Sequence, residues 1–450
     1  MTGHRKLGPV LATMIVAGNM VGSGIFFLPA TLAGVGSLTI LGWLIGTVGA
    51  LALALLFSKL ARRKPLAGGP ATYAFDAFGR FWGSQSSLWY WAACLIGNVA
   101  IATAASSYLA TFFGLDAGPV PGALFTVLLL WLVTVVNMIS PRFVGQFDGL
   151  LLIVGLIPLL LVVTVGWASF DAAQFSASWN VSGEPLYKAL PNSLALVFWA
   201  FTGLESASVA AAVVDDPERN VPIATMAGVL IAALLYIGAS IAIFGIAPAA
   251  DIAASGAPFA LAAAKMLGPA AGPLVALFGG LKALGTLAGW VLMTAQVSRA
   301  AADHGLLPQM FARTRAGDTP VAGLVISGLI GTAAIVITIA PTLGKQFGYL
   351  SEASTLFALL TYLGACAAAL RYRRMGVRGE TGLAVIGAVF CIAVIALSTK
   401  PVLKAFLISL GAFAVLYLPL SRRKYRLPDP LVRTGEVAKL RERYDDPETR

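Results

Sequence analysis

The sequence predicts an all-α integral membrane protein with 12 transmembrane helices, and three observations carry that prediction. Hydrophobic residues make up 58% of the chain and charged residues only 11%, whereas soluble domains average roughly 25% charged residues. The mean hydropathy is +0.85. Apolar runs of about 20 residues, enough to cross a hydrocarbon core of roughly 30 Å, recur along nearly the whole chain. They leave no room for a separate soluble domain.

Twelve apolar runs define the predicted spans in chain order. They are 9–33, 38–60, 84–113, 121–139, 148–169, 191–213, 224–246, 270–298, 321–340, 350–370, 381–398 and 401–419. We expect a single membrane domain, 1–420, made of two five-helix repeats, 9–169 and 191–370, two added helices, 381–419, and a cytoplasmic tail, 421–450. The first run continues past Pro29 into further structure, which argues against a cleavable signal peptide.

The basic residues predict how these spans are oriented. Twelve spans place both termini on one side, and 25 of the 31 basic residues fall in loops or termini on that side. By the positive-inside rule that side is the cytoplasm. The net charge of +11 then follows from topology and from contact with anionic lipid, without nucleic acid as a partner. The three cysteines all lie in spans and lack metal-ligand spacing, so no metal or cofactor is predicted.

The middle of the first span carries glycines where a helix is easily weakened. Gly18, Gly22 and Gly24 fall within seven positions, and each glycine in a helix interior costs roughly 1 kcal/mol relative to alanine. One explanation is close helix packing, because Gly18 and Gly22 form a small-xxx-small pair. The other is an unwound segment, whose free amides would hold a carboxylate such as that of an amino acid.

The sixth span shows a second interruption at a comparable depth. Gly203 and Glu205 lie within Phe198–Ser208, inside a membrane-buried stretch. A charge at the bilayer centre costs at least roughly 2.5–3.5 kcal/mol, so an ionisable residue there indicates a functional site. Paired interruptions in two five-span halves of opposite topology indicate an inverted repeat. We therefore predict a 5+5 inverted repeat with discontinuous helices 1 and 6, and a midplane site in which Glu205 faces the cationic end of a substrate.

Aromatic and amide side chains at mid-span extend this predicted site. Trp199 precedes Glu205 by six residues, and Trp290 follows Gly289 in span 8. Tryptophans usually mark the membrane interfaces, but at mid-span beside glycine they suit cation–π contact with a guanidinium or ammonium group. Asn98, also at mid-span, needs hydrogen-bond partners. A neighbouring helix and a ligand would serve it equally well.

Four segments resemble the amino acid–polyamine–organocation superfamily. They are Gly18–Phe26, Phe198–Ala211, Asn220–Thr225 and Ser298–Gly305. The chain is similar above all to the basic amino acid/polyamine antiporters, especially the arginine/agmatine antiporters, from about residue 7 to residue 420. The resemblance implies a LeuT-like fold and sodium-independent exchange of a cationic amino acid for its decarboxylation product.

The resemblance also implies a role for individual residues. Those matched to the substrate-binding positions of the family are Asn19, Met20, Ser23, Gly24, Ala93, Cys94, Asn98, Trp199, Glu205, Trp290 and Ser354. Tyr90 and Tyr362 match tyrosines that, together with Glu205, close the inner side of the site. Trp290 matches the aromatic residue that stacks on the guanidinium group. No catalytic residue is implied.

Two charges depart from the antiporter pattern. Lys282 lies in span 8 and Glu352 near the outer start of span 10. We expect a mutual ion pair between packed spans or solvation in an external vestibule, since a lysine near Glu205 would weaken the attraction for cations. The segment Gly68–Tyr73 also has fewer tyrosines than its counterpart in the family, so acid-activated gating does not follow from the resemblance.

The function predicted from these observations is exchange across a bacterial-type inner membrane of arginine, or a similar basic amino acid, for agmatine or a related amine. Such exchange supports acid resistance when a cytoplasmic amino-acid decarboxylase supplies the amine. The other expected partners are membrane lipid and a second copy of the chain in a homodimer. Alternatives are a same-fold exchanger or permease for neutral or other amino acids and a transporter-like nutrient sensor, although the tail is short for a signalling domain. An enzyme is disfavoured, because no His cluster, metal spacing or nucleophile–base pair is present.

Overall fold

The computed structural model describes residues 8–22, 24–63, 70–115, 118–139, 141–205, 214–303, 307–314, 319–374 and 380–421. The α-helices in these ranges, numbered in chain order, are α1 Pro9–Met20, α2 Gly24–Leu32, α3 Thr39–Arg63, α4 Pro70–Phe78, α5 Arg80–Phe113, α6 Pro119–Ile139, α7 Pro141–Thr164, α8 Ala172–Ala177, α9 Leu186–Ala189, α10 Pro191–Trp199, α11 Pro217–Ile246, α12 Ala249–Ala254, α13 Pro258–Leu267, α14 Ala271–Asp303, α15 Val321–Ile337, α16 Leu343–Arg374, α17 Thr381–Ala396 and α18 Lys400–Ser421. Two short 3-10 helices cover Val165–Ser169 and Gln309–Ala312.

Seven helices in the described ranges are long and apolar enough to cross a membrane. Their apolar stretches are Thr39–Ala61, Arg80–Phe113, Pro119–Ile139, Arg219–Ile246, Ala271–Asp303, Leu343–Tyr372 and Lys400–Leu418. Shorter apolar helices lie at predicted spans 5, 9 and 11, over Val154–Ser169, Val321–Ile337 and Thr381–Ala396. The predicted class of an all-helical membrane protein is confirmed, while the number of 12 spans stays a prediction.

A helix ends at both places where the sequence predicts an interruption. In the first span, α1 ends at Met20 and α2 begins at Gly24, with Val21 at φ −72° and ψ 59° between them. In the sixth span, α10 ends at Trp199 and the chain continues through turns to Glu205. Gly203 has φ +98°, a conformation that is strained for any residue with a side chain.

Helix packing centres on α5, which lies against both α14 and α16. Each helix of one predicted half has a counterpart five spans away in the other half. Several pairs of packed helices recur when both members are replaced by their counterparts. The pair α5–α16 then corresponds to α14–α7, the pair α1–α11 to α10–α3, and the pair α5–α6 to α14–α15. Two structurally related halves would pack against each other in this way.

The sequence missed the short helices in the connections. α4 lies between the second and third predicted spans, α8 and α9 between the fifth and sixth, and α12 and α13 between the seventh and eighth. Each has ten residues or fewer, which is too short to cross a hydrocarbon core. The predicted tail, 421–450, lies outside the described residues beyond Ser421.

Candidate functional site

A buried pocket lies where α5, α14, α16 and the segment after α10 meet. Its free volume in this conformation is about 30 Å³, below the roughly 300–1,000 Å³ found for small-molecule sites, so a substrate needs the surrounding helices to move apart. The described residues that line it are Tyr90, Ala93, Cys94, Gly97, Ile101, Trp199, Thr202, Glu205, Trp290, Ser354, Ala358 and Tyr362. The wall is mostly apolar and aromatic, and it contains one carboxylate.

The carboxylate of Glu205 is held by two tyrosines from different helices. Tyr90 on α5 donates a hydrogen bond of 2.7 Å to Oε1, and Tyr362 on α16 donates one of 2.7 Å to Oε2. Glu205 itself is 2% exposed. The group lines the pocket, where a carboxylate can attract a cation. The three residues expected from the resemblance to form a gate are therefore in direct contact.

The two tyrosines mark one end of the pocket, and Ser354 lies further along it. The Ser354 hydroxyl donates a 2.7 Å hydrogen bond to the carbonyl of Ala93. Ala93 follows Tyr90 by three residues on α5, whereas Ser354 precedes Tyr362 by eight on α16. The two helices therefore run antiparallel, and the Glu205 contacts lie at a single end of the pocket.

Tryptophan side chains form two of the pocket walls. The ring of Trp199 lies directly against Gly24 at the start of α2. A side chain at this position would collide with the ring, since a Cβ built on Gly24 would lie 2.5 Å from it. Phe347 packs edge-on against the same ring, with centroids 5.2 Å apart. Trp290 is half-buried on α14 and lines the pocket. Two tryptophans and a carboxylate therefore line one pocket, a combination that suits a cationic guest.

The first-span residues expected to bind substrate are only partly described. Ser23 lies outside the described residues, as does the side chain of Asn19 at the end of α1. Met20 is 3% exposed and belongs to the hydrophobic core rather than to the described pocket lining. Gly24 lies against the ring of Trp199, and Trp199 lines the pocket.

Asn98 points away from the pocket that it was expected to line. Its Nδ2 donates a 2.8 Å hydrogen bond to the hydroxyl of Thr294 on α14, and Thr294 in turn donates to the carbonyl of Trp290 at 2.8 Å. Asn98 also lines a second, smaller cavity between α5, α6, α14 and α15. Of the two partners expected for this amide, a neighbouring helix or a ligand, the structure shows the neighbouring helix.

The two unexpected charges have different neighbours. Glu352, 5% exposed, accepts hydrogen bonds of 2.6 and 2.7 Å from the backbone N–H and the hydroxyl of Thr399, directly before α18. Lys282, 2% exposed, lays its aliphatic stem against Gly155 of α7. Solvation in an external vestibule is therefore wrong for both side chains, because packed helices exclude water from them. Neither side chain is among the described residues that line the pocket.

Sequence reasoning missed Gly97, Ile101, Thr202 and Ala358 as lining residues. Helical periodicity holds the signal for two of them: at 100° per residue, Gly97 and Ile101 lie within about 20° of Tyr90 around the axis of α5, whereas Asn98 lies about 80° away. Thr202 has no such signal, because it belongs to the turn after α10, where its hydroxyl donates a 2.6 Å hydrogen bond to the carbonyl of Trp199. A cluster of three or more His, Cys, Asp or Glu side chains is absent from the described part of the chain.

Comparison with known proteins places this site in a family. A family model described as amino acid permease matches residues 7–420. The cadaverine/lysine antiporter of Escherichia coli (strain K12) is 37% identical over 418 residues, covering 91% of this chain and 94% of that protein. The putrescine transporter PotE of the same strain is 37% identical over 363 residues, covering 81% and 83%. PotE of Haemophilus influenzae is 36% identical over 363 residues, with the same coverage.

Proposed function

Because the chain belongs to the amino acid permease family, we propose that it exchanges an external basic amino acid for an internal amine formed by decarboxylation, without sodium. The chain is a transporter and not an enzyme, because its family and its relatives are transporters. The observation that carries the proposal is the buried Glu205 carboxylate facing a pocket walled by Trp199 and Trp290. This arrangement favours a cation that also presents an apolar stem.

The finer question is which basic amino acid and which amine are exchanged. Arginine with agmatine is the pair expected from the resemblance. Lysine with cadaverine is the second candidate, and two observations favour it: a 37% identical relative is a cadaverine/lysine antiporter, and the amide of Asn98 is bonded to Thr294 rather than aimed into the pocket. A guanidinium group carries five N–H donors, so it depends more on such acceptors than a primary ammonium group does.

The proposed transport mechanism uses the two interrupted helices. The matched helix pairs support a LeuT-like 5+5 repeat, in which discontinuous helices meet at the substrate site and one bundle moves against the other. In this proposal the first-span amides select the α-carboxylate of the amino acid, and Glu205 selects the cationic group. An amine lacks that carboxylate, so only the second interaction is common to both substrates. The Glu205–Tyr90–Tyr362 contacts would open whenever the inner side opens.

The proposal of a neutral substrate depends on a positive charge from Lys282 near the site. The position of Lys282 weakens that proposal. The stem of Lys282 packs on α7, and the residue is not among the described pocket lining. We also propose an inner-membrane location with both termini cytoplasmic, a homodimeric assembly, and a functional link to a cytoplasmic decarboxylase. The enrichment of basic residues on one side supports the proposed orientation.

A counterflow panel in proteoliposomes tests the proposed substrates. Vesicles are loaded with unlabelled agmatine, cadaverine, putrescine, leucine or buffer, and labelled arginine or lysine is added outside. We expect rapid uptake into vesicles that hold an amine and little uptake into those that hold leucine. The better amine identifies the pair. Equal uptake against leucine would favour the neutral exchanger, and binding without uptake under all conditions would favour the sensor.

A further inference from the structure

The second cavity, behind the substrate pocket, is lined in part by polar groups, two of which have no hydrogen-bond partner among the described residues. It lies between α5, α6, α14 and α15, and Asn98, Thr134 and Ser327 supply its polar wall. These three residues are 4%, 1% and 8% exposed, respectively. Among the described residues, neither Oδ1 of Asn98 nor the hydroxyl of Ser327 has a hydrogen-bond partner. An unsatisfied buried polar group costs free energy, so two of them at one cavity indicate a missing ligand.

The donors and acceptors in this cavity are complementary to one water molecule. Ser327 has a free hydroxyl proton to donate, and Oδ1 of Asn98 accepts. The Thr134 hydroxyl donates its proton to the carbonyl of Leu130 at 2.7 Å, which leaves its oxygen as an acceptor. A water that accepts from Ser327 and donates to the other two makes three hydrogen bonds, the usual number for a buried water. The remaining wall is apolar, and the cavity is too small for a larger polar solute.

The same cavity is joined to the substrate pocket by a continuous chain of hydrogen bonds. Asn98 donates to the hydroxyl of Thr294, and Thr294 donates to the backbone carbonyl of Trp290. The orientation of the Asn98 amide therefore affects the turn of α14 that carries Trp290. A ligand on the far side of the amide would fix that orientation, because its Oδ1 atom then has a partner of its own.

We propose that this cavity is a hydration site, in which one water bonded to Asn98, Thr134 and Ser327 positions Trp290 in the substrate pocket through Thr294. Thr134 and Ser327 are positioning residues, since neither lines the substrate pocket. The effect on substrate binding rests on the proposed function, whereas the presence of the water does not.

The first part of the test is an experimental structure at a resolution that shows ordered water. We expect density within about 2.7–3.2 Å of all three polar side chains. The density should be lost in Thr134→Val, which keeps the side-chain shape but removes the hydroxyl, and retained in Thr134→Ser. Ser327→Ala, a second variant, should also lose it. A dry cavity in the unmodified protein would overturn the proposal.

The second part measures the affinities for cadaverine and agmatine by calorimetry. Thr134→Val should lower the affinity for the more tightly bound amine by about 2-fold to 10-fold, the equivalent of one ordinary hydrogen bond. The affinity of Thr134→Ser should stay close to that of the unmodified protein. In a Trp290→Leu background, Thr134→Val should have no further effect, because coupled residues are not additive. The same loss in both backgrounds would contradict positioning through Trp290. If the unmodified protein binds neither amine, the proposed function fails, and the density alone decides the hydration site.

Discussion

Removing the Tyr362 hydroxyl tests whether the contacts to Glu205 act as a gate. Tyr362→Phe keeps the ring and removes one of the two hydrogen bonds to the carboxylate. A hydrogen bond to a charged group contributes about 1.5–3 kcal/mol, and Glu205 is only 2% exposed, so solvent replaces little of it while the site is closed. If the bond exists only in the closed state, its loss favours opening by about 10-fold to 140-fold.

The native Cys94 reports this opening, because it lines the pocket one helical turn from Tyr90. The other two cysteines, Cys366 and Cys391, are both 0% exposed and can be replaced by alanine to leave a single thiol. A membrane-impermeant maleimide is then applied to either face of oriented vesicles. We expect the Cys94 labelling rate in Tyr362→Phe to rise about 10-fold or more from the cytoplasmic face, with little change from the opposite face.

Tyr236→Phe is the matched control for this experiment. Tyr236 is also fully buried, and its hydroxyl donates a hydrogen bond to the carbonyl of Ala200 at 3.1 Å, but it does not line the pocket. Its loss should leave labelling from the cytoplasmic face unchanged. The gate assignment is refuted if Tyr362→Phe labels at the unmodified rate, or if both variants label equally fast.

Four further predictions follow from the same geometry. Trp290→Leu should weaken amine binding by about 0.5–2 kcal/mol through lost cation–π contact, and unchanged affinity by calorimetry would remove Trp290 from the site. Glu205→Ala should abolish or strongly slow exchange, with Glu205→Asp keeping part of the activity; wild-type flux in Glu205→Gln would make Glu205 a structural residue. Gly24→Ala should cost about 1–3 kcal/mol, because its Cβ would press on the ring of Trp199, measured by thermal unfolding of the purified protein. Uptake into amine-loaded vesicles should be equal in choline and sodium media, and strict sodium dependence would contradict the exchange mechanism.

The membrane class and the two helix interruptions were predictable because they depend on local composition. Charge content and apolar run length identify a membrane protein without any knowledge of packing. The glycines near Gly22 and the Gly203–Glu205 pair weaken their helices through their own backbone and charge, so the sequence alone locates both breaks. The short helices α4, α8, α9, α12 and α13 were missed, because apolar runs were used to find membrane spans and helices of ten residues or fewer are too short to be spans.

The site was predictable where a residue is chemically unusual and less so where packing decides. A mid-membrane carboxylate and tryptophan have few structural explanations, and Glu205, Trp199 and Trp290 do lie together at one pocket. Asn98 shows the limit. Its amide is polar enough to suggest a ligand, but its direction depends on the helical angle and on Thr294 in a helix nearly 200 positions later in the chain. The partners of Lys282 and Glu352 likewise depend on tertiary packing that a single sequence does not show.

Coupled exchange is the central claim, and a double-label flux measurement tests it most directly. Proteoliposomes are loaded with one labelled amine, cadaverine or agmatine, and a differently labelled lysine or arginine is added outside in sodium-free medium. The proposed antiport predicts that one amine leaves for each amino acid that enters, and that both fluxes stop together in Glu205→Ala. Amino-acid uptake into empty vesicles at the same rate as into loaded vesicles, with no amine leaving the loaded ones, would contradict it.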